Sequence, residues 1–294
     1  MRNIPIVTKS LLIINVVAFL ISMFSGHVAL LGGRDMNDIF GLHFFLAPDF
    51  QIYQLITYMF MHGGWAHLFF NMFALWMFGC VVENVWGPKK FLFYYIFCGI
   101  GAGLCQEIAQ YVQYAYEHLD SYEYVRTAVG SIPMSTYLNL WTTVGASGAI
   151  YAILLAFGML FPEQRIFIIP IPFPIKAKWF VMIYVAIELF SAIGSSGDGV
   201  AHVAHLGGML FGFLLIRYWK KHPYRSMVNF SDFRIFHTTT STQPPHHESD
   251  WDYNKRKQTE QAEIDRILDK IRKSGYDSLT KEEKKKLFDQ SRQS

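Results

Sequence analysis

The fold class this chain predicts is an all-α, polytopic membrane protein, and three observations carry that expectation. Apolar residues make up 52% of its 294 residues and charged residues only 17%, against roughly 25% charged in a soluble domain. The apolar residues cluster into runs of the length a helix needs to cross the hydrocarbon core, about 17–25 residues. Lysine and arginine fall mostly on one side of those runs, as the positive-inside rule demands.

Six spans follow, at 9–31, 64–86, 91–114, 141–161, 177–195 and 199–219. The N-terminus carries Arg2 and Lys9, followed by the apolar run Leu11 to Phe24. A signal peptide also has that shape, but the run is long, more spans follow and no small-x-small cleavage site stands out, so an uncleaved span is expected. Segment 34–62 is rich in Phe and Leu yet carries Arg34, Asp35, Asp38 and Asp49, which predicts an amphiphilic loop lying in the interface. Segment 115–140 is a polar loop. Segment 162–176 holds Pro162, Pro170, Pro172 and Pro174 and cannot be one continuous helix.

Arg2, Lys9, Lys89, Lys90, Arg165, Lys176, Lys178, Arg217, Lys220, Lys221 and Arg225 fall on one side of the spans; Arg34 and Arg126 fall on the other. This asymmetry predicts that both termini are cytoplasmic, which also requires an even number of spans. Brevity and six spans favour a bacterial plasma membrane. Cys80, Cys98 and Cys105 all lie in apolar stretches at spacings unlike a zinc site, so they read as small packing residues rather than a disulfide framework.

The composition changes after the last span. Three regions are expected: a membrane domain over 1–221, a Pro-, Thr-, Ser- and His-rich disordered linker over 222–250, and a short helical cytoplasmic tail over 251–294. In the tail, Ile264, Ile267, Leu268 and Ile271 follow helical spacing, Ser274-Gly275 reads as a stop, and Thr280-x-x-Glu283 reads as a capping box. Its apolar face is too small for an independent core, which suits a docking or regulatory segment.

Three motifs interrupt the apolar helices: His67-Leu68-Phe69-Phe70-Asn71, Gly145-Ala146-Ser147-Gly148, and Ala204-His205 followed by Gly207, Gly208 and Gly212. Polar side chains inside a bilayer are costly, which makes each a functional candidate. With the N-terminus inside, spans two, four and six run in the same direction. Ser147 and His205 each lie about six residues, or roughly 9 Å, below the outer end of their span, and His67 and Asn71 bracket that depth. A serine hydroxyl becomes a nucleophile when a base takes its proton, and His205 is placed to be that base. Gly145, Gly148 and the Gly208-x-x-x-Gly212 face would let the two helices approach. The soluble nucleophile elbow G-x-S-x-G does not fit, since position 149 is Ala, so the serine would sit on a helix end.

Each motif also has a plainer reading. A lone serine often bonds its own helix. His67 and Asn71 at i, i+4 would serve an interhelical hydrogen bond. His202 and His205 would suit a structural or metal role, with His62, His67 or Asp198 as further ligands, although no H-E-x-x-H spacing is present. The joint occurrence is far more specific than any one motif, and it points to a serine hydrolase built inside a bilayer.

That set resembles the rhomboid family of intramembrane serine proteases, over residues from about 51 to 219. The family's G-x-S-G matches Gly145 to Gly148. Its histidine followed by glycine at +3 and +7 selects His205, with Gly208 and Gly212, and not His202. Its H-x-x-x-N matches His67 and Asn71, followed here by Gly79-x-x-x-Glu83, and its aromatic residue four after the serine matches Tyr151. The resemblance implies a six-transmembrane-helix bundle acting as a serine endopeptidase on transmembrane protein substrates. Ser147 would be the nucleophile and His205 the general base and acid. His67, Asn71 and the Ser147 N–H would stabilise the oxyanion, and Tyr151 would stack on the imidazole. No carboxylate is needed to orient His205, and none stands out. The site should lie toward the outer face, where water enters. No cofactor, metal or nucleic acid is implied, membrane lipid is, and the oligomeric state is not specified. Tyr53-Gln54 stand where many members carry Trp-Arg, which bears on the packing of the first loop. Two other readings are a non-catalytic rhomboid-like protein that binds membrane clients and a small transporter. Retention of Ser147, His205, His67 and Asn71 argues against the first. Glu188 in span five is the best residue for the second, although an interhelical hydrogen bond explains it better.

Overall fold

The computed structural model describes residues 4–25, 34–127, 130–167, 173–194 and 202–222, and in the tail positions 266, 267, 270, 271, 280 and 283. Among the described residues, six long helices correspond to the expected spans. They are α1 (Ile6–Ser25), a continuous helix over Trp65–Trp86, α6 (Pro88–Tyr116), α8 (Ser147–Leu160), α9 (Ala177–Gly194) and α10 (His202–Lys221). The second is built from α4 (Trp65–Ala74) and α5 (Cys80–Trp86), joined by a π-helical turn over Leu75–Gly79. Three of these, Ile6–Phe24, Trp65–Trp86 and Pro88–Tyr116, are long and apolar enough to cross a membrane, and α8 is a shorter apolar helix. The molecule is a polytopic helical membrane protein.

The outer faces agree with that class. Ile13, Val17 and Ile21 on α1, Phe69, Phe70 and Phe73 on α4, and Met182, Ile183, Ile187 and Phe190 on α9 are all exposed. Apolar side chains turned outward on three helices suit lipid contact.

A few two- to four-residue strands accompany the helices. β1 (Leu42–His43) pairs antiparallel with β4 (Thr142–Thr143), β2 (Tyr124–Thr127) with β3 (Gly130–Pro133), and β5 (Arg165–Ile166) with β6 (Ile175–Lys176). The β2–β3 hairpin and the short α7 (Met134–Asn139) organise the segment read as a polar loop. In the Pro-rich segment Glu163 bridges Lys176 and Lys178, whose ammonium groups hold its carboxyl down at about 2.

Segment 34–62 does not cross as a helix. It folds into α2 (Met36–Phe40), β1 and α3 (Gln54–Thr57), and buries Leu42, Phe44, Tyr58 and Met59. Gln54 is its hub. The side-chain oxygen accepts from the His43 and Gln51 N–H groups, and the amide nitrogen donates to the Ile39 and Asp49 carbonyls. One buried amide thus satisfies four backbone groups, so glutamine at this position holds the loop through hydrogen bonds rather than charge.

The core lies where α6, α8 and α10 meet. Tyr94 of α6 donates to the Ala152 carbonyl of α8 at 2.8 Å. A Cβ added at Gly208 would overlap the carbonyl of Gly148, and one at Gly148 would overlap Ala102. Membrane helices approach this closely only through such small residues.

Glu83 anchors the opposite end of the bundle. Its buried carboxylate accepts from the N–H groups of Val7 and Thr8 at 2.9 and 2.7 Å and from the Thr8 hydroxyl at 2.7 Å. These are orphan donors of the first turn of α1, and a negative charge there also opposes the positive end of the helix dipole. Glu83→Ala is expected to lower stability by about 3 kcal/mol, because hydrogen bonds to a charged group contribute about 1.5–3 kcal/mol and their donors would remain buried. Thermal unfolding in detergent measures it.

In the tail, the Thr280 N–H donates to the Glu283 carboxylate at 2.8 Å and the Glu283 N–H donates to the Thr280 hydroxyl at 3.3 Å. This is the expected capping box. The linker over 222–250, apart from His222, and the Ile264 and Leu268 positions lie outside the described residues.

Candidate active site

Ser147 is the first residue of α8. The chain reaches it by a forced route. Thr142 and Thr143 are held in the β1–β4 pair, the Gly145 N–H donates to the Tyr58 carbonyl at 2.9 Å, and Gly145 has φ of +129°. L-residues avoid that conformation, so glycine is required there. A Cβ at Gly145 would also stand 2.7 Å from His67 Nε2, which places the His67 ring directly beside the approach to Ser147. Ala146 gives α8 no side-chain cap, so the first-turn N–H groups beside Ser147 are left to other acceptors, at the positive end of the helix dipole.

His205 lies in the first turn of α10, 8% exposed. Its Nε2 is 2.8 Å from Ser147 Oγ and its Nδ1 is 3.0 Å from Glu188 Oε2. The Tyr151 ring stacks on the imidazole with centroids 4.2 Å apart and planes 5° from parallel. Tyr151 lies one turn beyond Ser147 on α8, so one helix supplies both the hydroxyl and the plane that holds the ring.

The carboxylate on Nδ1 selects the tautomer. A carboxylate only accepts, so Nδ1 carries the proton and Nε2 presents its lone pair to the Ser147 O–H. The arrangement is poised to move a proton from Oγ to Nε2. Asn71 is 7% exposed, and its side-chain nitrogen is buried without a hydrogen-bond partner among the described residues. A buried, unpaired donor is rare in a folded protein, and a transient acceptor is one explanation for it. His67, one turn before Asn71 on α4, packs edge-on to His62 at 5.1 Å.

Two expectations are corrected. The expected depth of six residues for Ser147 and His205 came from hydropathy. Ser147 instead opens its helix, because Thr142 and Thr143 are held in a strand pair and Gly145 turns the chain; the residues just before His202 lie outside the described residues, so the depth of His205 keeps its sequence-based expectation. The expectation that no carboxylate stands out beside His205 is also corrected. Glu188 of α9, 4% exposed, takes His205 Nδ1 and His202 Nδ1 on one oxygen and the Tyr151 hydroxyl on the other. The interhelical hydrogen bond read for Glu188 is present, and it leads to His205. His202, set aside on glycine spacing, shares that carboxylate. The signal available was an acid in the middle of an apolar helix.

Glu188, His202 and His205 bring their ligand atoms within 4.8 Å of one another, close enough to hold a metal ion. Both Nδ1 atoms are spent on the carboxylate, so a cation would have to displace those hydrogen bonds. Asp198 lies outside the described residues.

A helical membrane bundle that joins a helix-end serine to a buried imidazole on another helix is the class this fold and site define. Residues 49–221 match the Rhomboid domain family, and the chain belongs to the rhomboid family. It is 30% identical over 192 residues to the rhomboid protease AarA of Providencia stuartii, covering 63% of each chain. It is 30% identical over 186 residues to the chloroplastic rhomboid-like protein 11 of Arabidopsis thaliana, covering 60% of this chain and 55% of that one. It is 29% identical over 160 residues to the human mitochondrial presenilin-associated rhomboid-like protein, covering 54% and 36%. The match thus spans less than two thirds of the length of each of these relatives. Residues 248–293 match a family of unknown function (DUF6576).

Proposed function

We propose that this chain is an intramembrane serine endopeptidase acting on transmembrane segments of other membrane proteins. The observation that carries the reading is the 2.8 Å contact between Ser147 Oγ and His205 Nε2. Ser147 attacks the scissile carbonyl while His205 takes its proton, then returns it to the leaving amine. The oxyanion is stabilised by the Ser147 N–H, His67 and Asn71. The unpaired Asn71 nitrogen supports that role, and the His67 ring beside Gly145 agrees with it. Tyr151 holds the imidazole plane. A helical peptide bond hides its carbonyl, so the substrate segment must unwind near the cut, where Gly, Ala or polar residues are expected.

The distribution of lysine and arginine supports cytoplasmic termini and a site toward the outer face, in a bacterial plasma membrane. Residues 222–250 act as a linker and 251–294 as a helical tail with a docking or regulatory role.

Reconstituted protein should cut a single-span substrate near its outer end, with the position read by mass spectrometry, and should be labelled by a fluorophosphonate at Ser147. Absence of both would leave a membrane-client binding protein as the better reading. Asn71→Ala is expected to lower kcat about 100-fold with KM nearly unchanged, the usual size of a lost oxyanion donor. Steady-state cleavage kinetics check this.

A further inference from the structure

We propose that Glu188 is a positioning residue of this site: its carboxylate fixes the orientation and tautomer of His205 and stabilises the imidazolium formed when Ser147 is deprotonated. The inference rests on the reading of Ser147 and His205 as the reacting pair.

The contacts of Glu188 are more than a tether requires. Oε1 accepts from the Tyr151 hydroxyl at 2.5 Å, and Oε2 meets His202 Nδ1 at 2.7 Å and His205 Nδ1 at 3.0 Å. Three donors from two helices, α8 and α10, therefore converge on one acid of α9. An acid in an apolar helix that only pinned α9 in place would need one of these donors. Both oxygens are instead directed to groups that touch His205, since Tyr151 also stacks on its ring. Tyr151 thereby locks the ring plane and the carboxylate together, which removes rotation of the imidazole about its own axis.

The chemical consequence follows from charge. As Ser147 Oγ bonds to the carbonyl carbon, its proton moves to His205 Nε2 and the ring becomes cationic. The Nδ1 proton stays where it is, donated to Glu188, and the carboxylate stays ionised. When the C–N bond breaks, the Nε2 proton goes to the leaving amine and the ring is neutral again. A carboxylate 3.0 Å from Nδ1 stabilises the cationic ring more than the neutral one, and that difference lowers the barrier. The geometry also makes the site depend on three helices. α9 must be docked on α8 and α10 before His205 is aimed at Ser147.

The test uses the full chain reconstituted in lipid, comparing wild type with Glu188→Gln, Glu188→Asp and Ser147→Ala. It reads kcat, KM, the rate of fluorophosphonate labelling and thermal unfolding. Gln keeps the size and one acceptor oxygen, can donate from its amide nitrogen to the Tyr151 hydroxyl oxygen, and removes the charge. The expected result is a fall of about 100-fold in both kcat and labelling rate, within the range for a lost acid–base partner, with KM unchanged. Asp, which restores the charge on a shorter stem, should recover at least about tenfold over Gln. Wild-type kcat in Glu188→Gln, or no recovery in Glu188→Asp, overturns the proposal, since either shows that the charge does not matter. A change confined to unfolding temperature also overturns it and leaves a purely structural acid. Should Glu188→Gln fail to fold, Tyr151→Phe removes the hydroxyl on Oε1 and keeps the stacked ring. A several-fold lower kcat then supports the proposal and an unchanged kcat overturns it. A wild-type protein that neither cuts nor labels marks a failure of the underlying Ser147–His205 reading instead.

Discussion

Ser147→Ala is expected to abolish cleavage, lowering kcat by about 10⁴-fold or more while leaving the fold and substrate capture intact. Nucleophile and base act as one unit. In a soluble serine protease, loss of either costs about 10⁶ in kcat, and what remains comes from the oxyanion donors and binding. Here the Ala variant retains His67, Asn71 and the first-turn N–H groups of α8, but His205 has no proton to take from a bound nucleophile. The structural cost is small. Ala is the best helix former, the lost atom is a single hydroxyl, and the Gly148–Gly208 contact one residue on is untouched. Cleavage kinetics, substrate pull-down and thermal unfolding on the same preparation separate these effects. A client-binding protein would also retain capture in Ser147→Ala, but its wild type would show no cleavage to lose. Unchanged cleavage in the variant rejects Ser147 as nucleophile.

Six helices were legible because apolar runs of membrane-spanning length leave few alternatives. Where the helices begin was not. Hydropathy extends the fourth run back to 141, whereas the chain there is held by β4 pairing with Leu42 and His43, and Gly145 then turns it at φ of +129°. That partner lies far away in sequence, and no local pattern announces it. The pairing of Ser147 with His205 was legible through the family resemblance, whose glycines at +3 and +7 after the histidine select His205 and not His202. Glu188 was legible as an expensive acid but not as the partner of His205, since the face of α9 that meets α8 and α10 is set by packing. Gln54 shows the same limit. Its sequence position marks only a departure from the family pattern, and its four backbone contacts become visible once the loop is folded around it. The hairpin Tyr124–Thr127 with Gly130–Pro133 was missed because four-residue strands rich in polar side chains carry too weak an alternation to separate them from a loop.

Gly208→Ala is expected to damage stability and catalysis together, and Gly208→Val more so. The atoms a Cβ would meet at Gly208 are all backbone: the carbonyl oxygen, carbonyl carbon and Cα of Gly148. Backbone cannot rotate away as a side chain can, so α8 and α10 must separate. Overpacking of this kind costs about 1–3 kcal/mol, measurable by thermal unfolding in detergent. The site magnifies the displacement. Ser147 immediately precedes Gly148, and His205 lies one turn before Gly208, so the same separation acts on the 2.8 Å hydrogen bond between Oγ and Nε2. A shift of about 1 Å breaks a hydrogen bond of this length and costs about 100-fold in rate. Gly64 is the contrast: it caps α4 in an extended conformation with nothing among the described residues within 4 Å of an added Cβ, and Gly64→Ala should leave both measurements close to wild type. Equal tolerance at the two positions would mean that the α8–α10 approach does not set the distance between hydroxyl and imidazole, and the site would then need another source of its precision.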